Sequence, residues 1–570
     1  MRRARVLWGL ALPLGLALAA WALWPRAGAG PAPDIRELAE ELPAQQIFAS
    51  PAIASDDLPP AGTRSLFDHL VAENDGLPYP FEDLVSLLQR QHPQGEAPPA
   101  LMIPLGRSLL KGQADFERPR VLVAADFHAP NSGASLGPAP RAQLFLGFVE
   151  NAAEIEVISY NEAAGRFEFQ LVQDYRADGQ PRIVYARRAI CLTCHQGGGP
   201  IFPQRPWNET NGQPEIAERI LKARGGEPYL GAPALNPLGV PERYDELTDT
   251  GSFIPVTQRV WLEGCGSADC RRQLLRVALH YLWNPGAPIA DTPPAQALRA
   301  LQAASWPAAG IAVPESDIRN RDPLAERRGL TGLVRSLFNP AHGEPGALNN
   351  EDLAAFERLP KLPAELDPLT PRPPRRVLRA EDIDGAYGIA SLFTAADQRL
   401  LENATDFRRE KLDLAVDRLP ETFFAARPFS RVLALQALLA ALDQPVPGYA
   451  YLDTSQMSPP LLSSIPPLEI SAGSPLVHFE TYCFACHRGN PAARLNFMGG
   501  ESEAEVLAQI RGTPSIRDAL DWARYQGTDK AAQLMPPADS PQHQRLQAAI
   551  AAGDPALDEM RATVPGLFDF

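Results

Sequence analysis

Two pentapeptides of one pattern, Cys191-Leu192-Thr193-Cys194-His195 and Cys483-Phe484-Ala485-Cys486-His487, constrain this chain more than any other feature. Cysteines three positions apart lie on one face of a helical turn, so both thiols can reach a single flat partner while the adjacent histidine turns beneath it. Thioethers to the two vinyl groups of one haem, with the histidine on the iron, use all three side chains, and this is the spacing of a c-type haem attachment site. The chain has only six cysteines in 570 residues, and four of them belong to these pentapeptides. A zinc site would need thiolates from both pairs, which stand far apart, and would leave each histidine unexplained. A thioredoxin-like dithiol would need a βαβ setting that neither motif has.

The N-terminus bears on the compartment. Arg2, Arg3 and Arg5 flank an uncharged run, Val6 to Trp24, which as a helix would span roughly 28 Å. Such a segment is an export element. Ala27-Gly28-Ala29 suits a signal-peptidase site, whereas the length of the run and Trp8, Trp21 and Trp24 near its ends suit an uncleaved anchor. Residues 1–29 are therefore read as a membrane anchor, with a cleaved signal peptide as the alternative, and the body is expected outside the cytoplasmic membrane. In an oxidising compartment Cys265 and Cys270 most simply form a disulfide, with a pair of free thiols as the alternative. The net charge of -15 speaks against nucleic acid and suits an acidic surface meeting basic redox partners.

Composition and patterning divide the rest into a mixed α+β chain. The 59 prolines argue for many loops. Residues 30–115 are Pro-rich with short helical patches at Ser65 to Ala72 and Phe81 to Leu88. Residues 116–283 read as a β-rich domain: strands at Val121 to Ala124, Gln143 to Glu150, Glu154 to Ser159, Arg166 to Val172 and Arg182 to Ala186 lead into the first pentapeptide. Asn161 to Gly165 forms a hairpin connection with glycine where a positive φ is needed. After His195, Gly197, Gly198 and Gly199 can let backbone lie against a flat macrocycle whose edge Phe202 and Trp207 could wall; the alternative is a flexible loop followed by ordinary core residues, the reading preferred for Phe202 and Trp207 individually. A helix from Cys270 to Trp283 closes this domain. Residues 284–376 are a loop-rich connection whose Pro360 to Pro374 stretch reads as the main linker. Residues 377–445 are helical, with Thr394 as a cap and an apolar helix from Phe429 to Leu442, and are expected to pack on the region C-terminal to them. Residues 446–570 carry the second pentapeptide.

That last region resembles the class I cytochromes c. The likeness rests on Cys483 to His487, intervening helices, the loop Leu534-Met535-Pro536-Pro537, and a closing helix with Ser540 as cap, Pro541 at its first position and Leu546 and Ile550 one turn apart. The resemblance implies an all-α cytochrome c-like domain with thioethers at Cys483 and Cys486, His487 as proximal ligand and Met535 as distal ligand. Met498, in a glycine-rich loop close behind His487, is the rival. The whole chain resembles a dihaem c-type cytochrome with two covalent haems, the first held by Cys191, Cys194 and His195. Resemblance to bacterial proteins of this kind places the body on the periplasmic side.

The first haem has no obvious distal ligand on its C-terminal side, because no methionine lies between His195 and Met457. His128, Met102, His280 and His342 are the candidates, or no protein ligand at all; His128, which follows a strand of the sheet leading into Cys191, is the first choice, and His280, opposite the apolar stripe of its helix, reads as a surface histidine. Two function classes are open. With both irons saturated, the chain relays electrons between periplasmic or membrane redox proteins. With the first iron open, it is a haem oxidoreductase whose second haem relays electrons. In the order of its motifs it is similar to bacterial dihaem cytochrome c peroxidases, a likeness of layout only. Neither the donor nor the acceptor is legible.

Overall fold

The structure, a computed structural model, describes residues 56–92, 95–104, 114–126, 142–186, 188–192, 195–203, 210–235, 240–284, 289–318, 374–447, 453–463, 470–471, 473–484, 502–512, 519–528, 534–536 and 541–563. It is mixed α+β. Two helices, α1 (Leu66–Glu73) and α2 (Phe81–Gln91), precede a six-stranded antiparallel sheet of β1 (Ala100–Ile103), β2 (Arg120–Asp126), β3 (Ala142–Val149), β4 (Glu154–Asn161), β5 (Arg166–Gln173) and β6 (Arg182–Tyr185). The strands lie in the sheet in sequence order, as a meander should. The β4–β5 hairpin pairs Asn161 with Arg166 and turns at Gly165 with φ +63°.

Strand alternation sorts the two faces. Val121, Val123, Leu144, Leu146, Ile155 and Val157 turn to one face, where α1 and α2 pack through Phe67, Phe81, Leu84 and Leu88. Ser65 starts α1 with a reciprocal cap: its hydroxyl accepts from the Asp68 amide and the Asp68 carboxylate accepts from the Ser65 amide. The stretch before residue 116, read from the sequence as Pro-rich with short helical patches, contributes the first strand and the cover of one face. Ala124, Phe145, Tyr160 and Phe167 turn the other way, into an apolar cluster shared with helical residues from Tyr244 onward.

Beyond β6 come α3 (Arg188–Cys191), β7 (Phe202–Pro203), α4 (Pro214–Ala223) and α5 (Val240–Leu262). The 23 residues of α5 show no apolar stripe because the helix is buried nearly all round. Its threonines are accommodated by bonding to their own helix: Thr248 Oγ1 donates to the Tyr244 carbonyl at 3.0 Å and Thr257 Oγ1 to that of Phe253 at 3.2 Å. The expected disulfide joins Cys265 to Cys270, at the corner between α5 and α6 (Ala268–Trp283). After α7 (Pro293–Ala303), β8 (Ile311–Val313) pairs antiparallel with β10 (Arg376–Leu378), and β9 (Asp317–Ile318) pairs parallel with β7. The chain therefore returns to itself on the far side of the expected linker, of which residues 360–373 lie outside the described set.

The next helical region consists of α8 (Asp384–Leu392), α9 (Ala395–Ala404), capped by Thr394, α10 (Arg409–Arg418) and α11 (Arg431–Ala441). Its buried residues share one apolar cluster with α5 and α6, so among the described residues this region packs on those helices and not, as expected from sequence, on the C-terminal segment. Gly385 and Gly388 make the close approach: a Cβ at either would stand 2.2 Å from Val260 or Thr257 of α5. The C-terminal elements are α12 (Leu476–Phe479), continued by a π-helical turn (Glu480–Phe484), α13 (Glu503–Gly512), α14 (Trp522–Tyr525), α15 (Pro541–Ala552) and α16 (Pro555–Thr563). They form an apolar cluster of their own, drawn from residues 470–560. Among the described residues no helix is long and apolar enough to cross a membrane, and the run Val6 to Trp24 lies outside them.

Candidate cofactor sites

The first pentapeptide begins on α3, directly after β6. Its turn continues past the helix end, since the Leu192 amide donates to the Arg188 carbonyl at 2.8 Å and the His195 amide to the Cys191 carbonyl at 2.9 Å. Cys191 is buried against Phe169 and Ala186, with Ile158 and Leu192 beside them. The His195 ring lies 5.4 Å from that of Phe169. Its Nδ1 is 2.8 Å from the Gly199 carbonyl oxygen. A carbonyl can only accept, so Nδ1 carries the proton and Nε2 carries the lone pair able to bind iron. Cys194 lies outside the described residues.

The glycines after His195 work differently from the expectation. A Cβ on Gly197 would meet the Pro314 ring at 2.7 Å, and one on Gly199 would stand 3.2 Å from the Ser252 Cα of α5. Both therefore serve close packing against protein, and through Gly199 the carbonyl that orients His195 is held against α5. Gly198 has φ +71° and faces no heavy atom within 4 Å among the described residues. Phe202 is fully buried in the core beside Tyr244, as read from the sequence, and Trp207 lies outside the described residues.

A buried ionic group supports this turn. Glu168 accepts from Arg166 through both oxygens, at 2.9 and 3.1 Å, and from Asn161 at 3.1 Å. Arg188 stands 3.6 Å from the same carboxylate, donates to the Phe167 carbonyl, and its amide donates to Asp57 at 2.9 Å. Its guanidinium carbon lies 5.6 Å from the centre of the Phe169 ring. Burial, and then the neighbouring Arg166, push the Arg188 guanidinium down to about 10, which leaves it charged at neutral pH. Burial pushes the Glu168 carboxyl up against the pull of both arginines. Motif reasoning did not single out Arg166, Glu168 or Arg188; the one sequence signal is that Arg188 stands one turn before Cys191.

The residues weighed as a further ligand at the first site are dispersed. Met102 is buried on the opposite sheet face, among the residues under α1 and α2. His280 Nε2 is 2.8 Å from Asp413 Oδ1 on α10, so the histidine read as a surface residue is half-buried and engaged. His128 and His342 lie outside the described residues.

At the second pentapeptide, Cys483 sits in the π-helical turn and is buried with Leu476, Phe479, Leu534, Leu546 and Met560. Met535 packs half-buried against this same cluster. Its amide donates to the Ala519 carbonyl at 2.9 Å, and the carbonyl of the next residue, Pro536, lies 3.2 Å from His543 Nδ1 on α15. The loop is thus tied on one side to the chain before α14 and on the other to the helix expected to close over it. Met560 is fully buried as a core residue of α16. Cys486, His487, Met498 and Ser540 lie outside the described residues.

The donor sets fit covalently held haem as far as the described residues extend. At the first site they are a buried thiol and an imidazole of the correct tautomer on one turn; at the second, a buried thiol and a thioether against one apolar cluster. Among the described residues no three His, Cys, Asp or Glu side chains group as a metal site of another kind. Comparison with protein-family models, with curated proteins and with solved structures finds no match.

Proposed function

We propose that the chain is a dihaem c-type cytochrome that transfers electrons on the periplasmic side of the cytoplasmic membrane, held there by residues 1–29. The observation that carries this reading is the His195 turn: Cys191 buried, and Nδ1–H given to the Gly199 carbonyl so that Nε2 keeps its lone pair. In this reading Cys191, Cys194 and His195 would hold one haem, and Cys483, Cys486, His487 and Met535 the other. Bound haem supplies a one-electron couple in each site. The protein's part is to fix the imidazole tautomer, exclude water with the Phe169 and Ile158 side chains, and hold Met535 from two sides. Residues 446–570 are read as the cytochrome c-like unit, supported by their helical elements and separate apolar cluster. Periplasmic or membrane redox proteins are the proposed partners.

Reduced-minus-oxidised spectra of the variants Cys191→Ser/Cys194→Ser and Cys483→Ser/Cys486→Ser test the assignment. Each is expected to lose one haem's absorbance, and a double variant that keeps both would show that its motif carries no haem. A second reading, a haem oxidoreductase of peroxidase-like layout with an open first iron, is supported by the placement of Met102 on the far sheet face and of His280 on Asp413. Cyanide added to the oxidised protein distinguishes the two, because only an open or weakly ligated iron changes its spectrum.

A further inference from the structure

Arg188 is a deeply buried cation beside the first pentapeptide, 5% exposed. It is also incompletely satisfied. Its Nη1 serves the Phe167 carbonyl and the Glu168 carboxylate, but its Nε is buried with no hydrogen-bond partner among the described residues. A buried charged donor left in this state costs more than a lost neutral bond, so its retention one helical turn before a haem-bearing cysteine asks for a reason. Two guanidinium groups, Arg166 and Arg188, share one buried carboxylate, Glu168, which Arg166 already occupies through both oxygens. The next carboxylate, Asp57, is half-exposed and accepts from the Arg188 amide, and its pull on the guanidinium ranks below that of Glu168. Its charge is screened by solvent more than that of Arg188, which leaves a net positive charge in the buried group.

We propose that Arg188 is an electrostatic positioning residue for the first redox centre, raising the potential of the haem held by Cys191, Cys194 and His195. The inference rests on the reading of that motif as a haem site. Arg188 and His195 approach one ring, that of Phe169, with the guanidinium carbon at 5.6 Å and the imidazole at 5.4 Å from its centre. A fixed positive charge at this range disfavours the ferric state, which carries one more positive charge than the ferrous. At an effective dielectric constant of about 20, a partly buried charge of this kind changes the ferric-to-ferrous ratio at fixed potential by roughly tenfold, which is about 59 mV for a one-electron couple. No proton transfer is involved.

The test is a spectroelectrochemical titration of the dihaem protein and of Arg188→Gln, Arg188→Lys and Asp57→Asn. Arg188→Gln is expected to lower one midpoint by this roughly tenfold ratio, at low and at high salt, and to leave the other midpoint in place. Arg188→Lys, which keeps the charge, is expected to restore most of the shift. Asp57→Asn, at a half-exposed position, is expected to raise the same midpoint. Equal lowering by Gln and Lys would assign Arg188 a packing role and overturn the proposal, as would unmoved midpoints in Arg188→Gln. If Arg188→Gln does not fold, an unchanged or lower midpoint in Asp57→Asn overturns it. Wild-type protein with only one covalent haem would instead defeat the haem reading itself.

Discussion

Gln258, on α5 and fully buried, joins the sheet to the helical region that lies more than a hundred residues further along the chain. Its Nε2 donates to the Tyr160 hydroxyl at 2.7 Å and to the Phe429 carbonyl at 2.9 Å, and its Oε1 accepts from the Phe429 amide at 2.8 Å. Replacing it with alanine strands both backbone groups of Phe429 away from water, each at a cost of about 1–3 kcal/mol, so Gln258→Ala is expected to lose about 2–6 kcal/mol. Tyr160→Phe removes only the phenol and leaves the pairing with Phe429 intact, for a loss of about 1 kcal/mol or less. Urea unfolding followed by far-ultraviolet circular dichroism measures both losses. Trp261 reports the same junction, because its indole N–H donates to the Arg427 carbonyl at 3.0 Å. A Gln258→Ala midpoint indistinguishable from wild type, or a Tyr160→Phe loss equal to it, would refute the claim that the Phe429 backbone is anchored here.

Met535→Ala is expected to lower one midpoint potential and leave the other nearly unchanged, since thioether ligation favours ferrous iron; survival of the near-infrared band of methionine-ligated ferric haem in that variant, with its loss in Met498→Ala, would transfer the role to Met498. Glu154 has its carboxyl pushed up to about 7, first by burial and then by the charge of Glu156. The folded state therefore holds a proton that the unfolded state releases above its ordinary carboxylate range, and stability falls as pH rises through about 7. Glu154→Gln should accordingly gain on wild type as pH goes from about 5 to about 8 in urea titrations, and a constant difference would contradict this. The protein is expected to stay with the membrane fraction through carbonate washing; a mature N-terminus at Gly30 in the soluble periplasm would show a cleaved signal.

The sheet was legible because its strands alternate and its turns carry glycine at the required position, as at Gly165. The caps Ser65 and Thr394 marked helix starts through local hydrogen bonding that needs no tertiary context. Two elements escaped for physical reasons. β1 is only four residues long, too short for alternation to register, and α5 is buried nearly all round, so its threonines, glycine and Pro255 show no apolar stripe by which a helix is recognised. The Cys191 and Cys483 pentapeptides stand out in the sequence because each pattern is confined to five consecutive residues. Arg188 and its neighbours were not, because Arg166, Glu168 and Arg188 become a buried group only when β5 and α3 are brought together.

Whether both pentapeptides carry covalent haem is decided by intact mass after denaturation. Thioether bonds survive unfolding, so the expected mass exceeds that of the polypeptide by two haems, reduced by one in Cys191→Ser/Cys194→Ser and by the other in Cys483→Ser/Cys486→Ser. A chain recovered at the bare polypeptide mass from cells competent for haem attachment would contradict the dihaem reading.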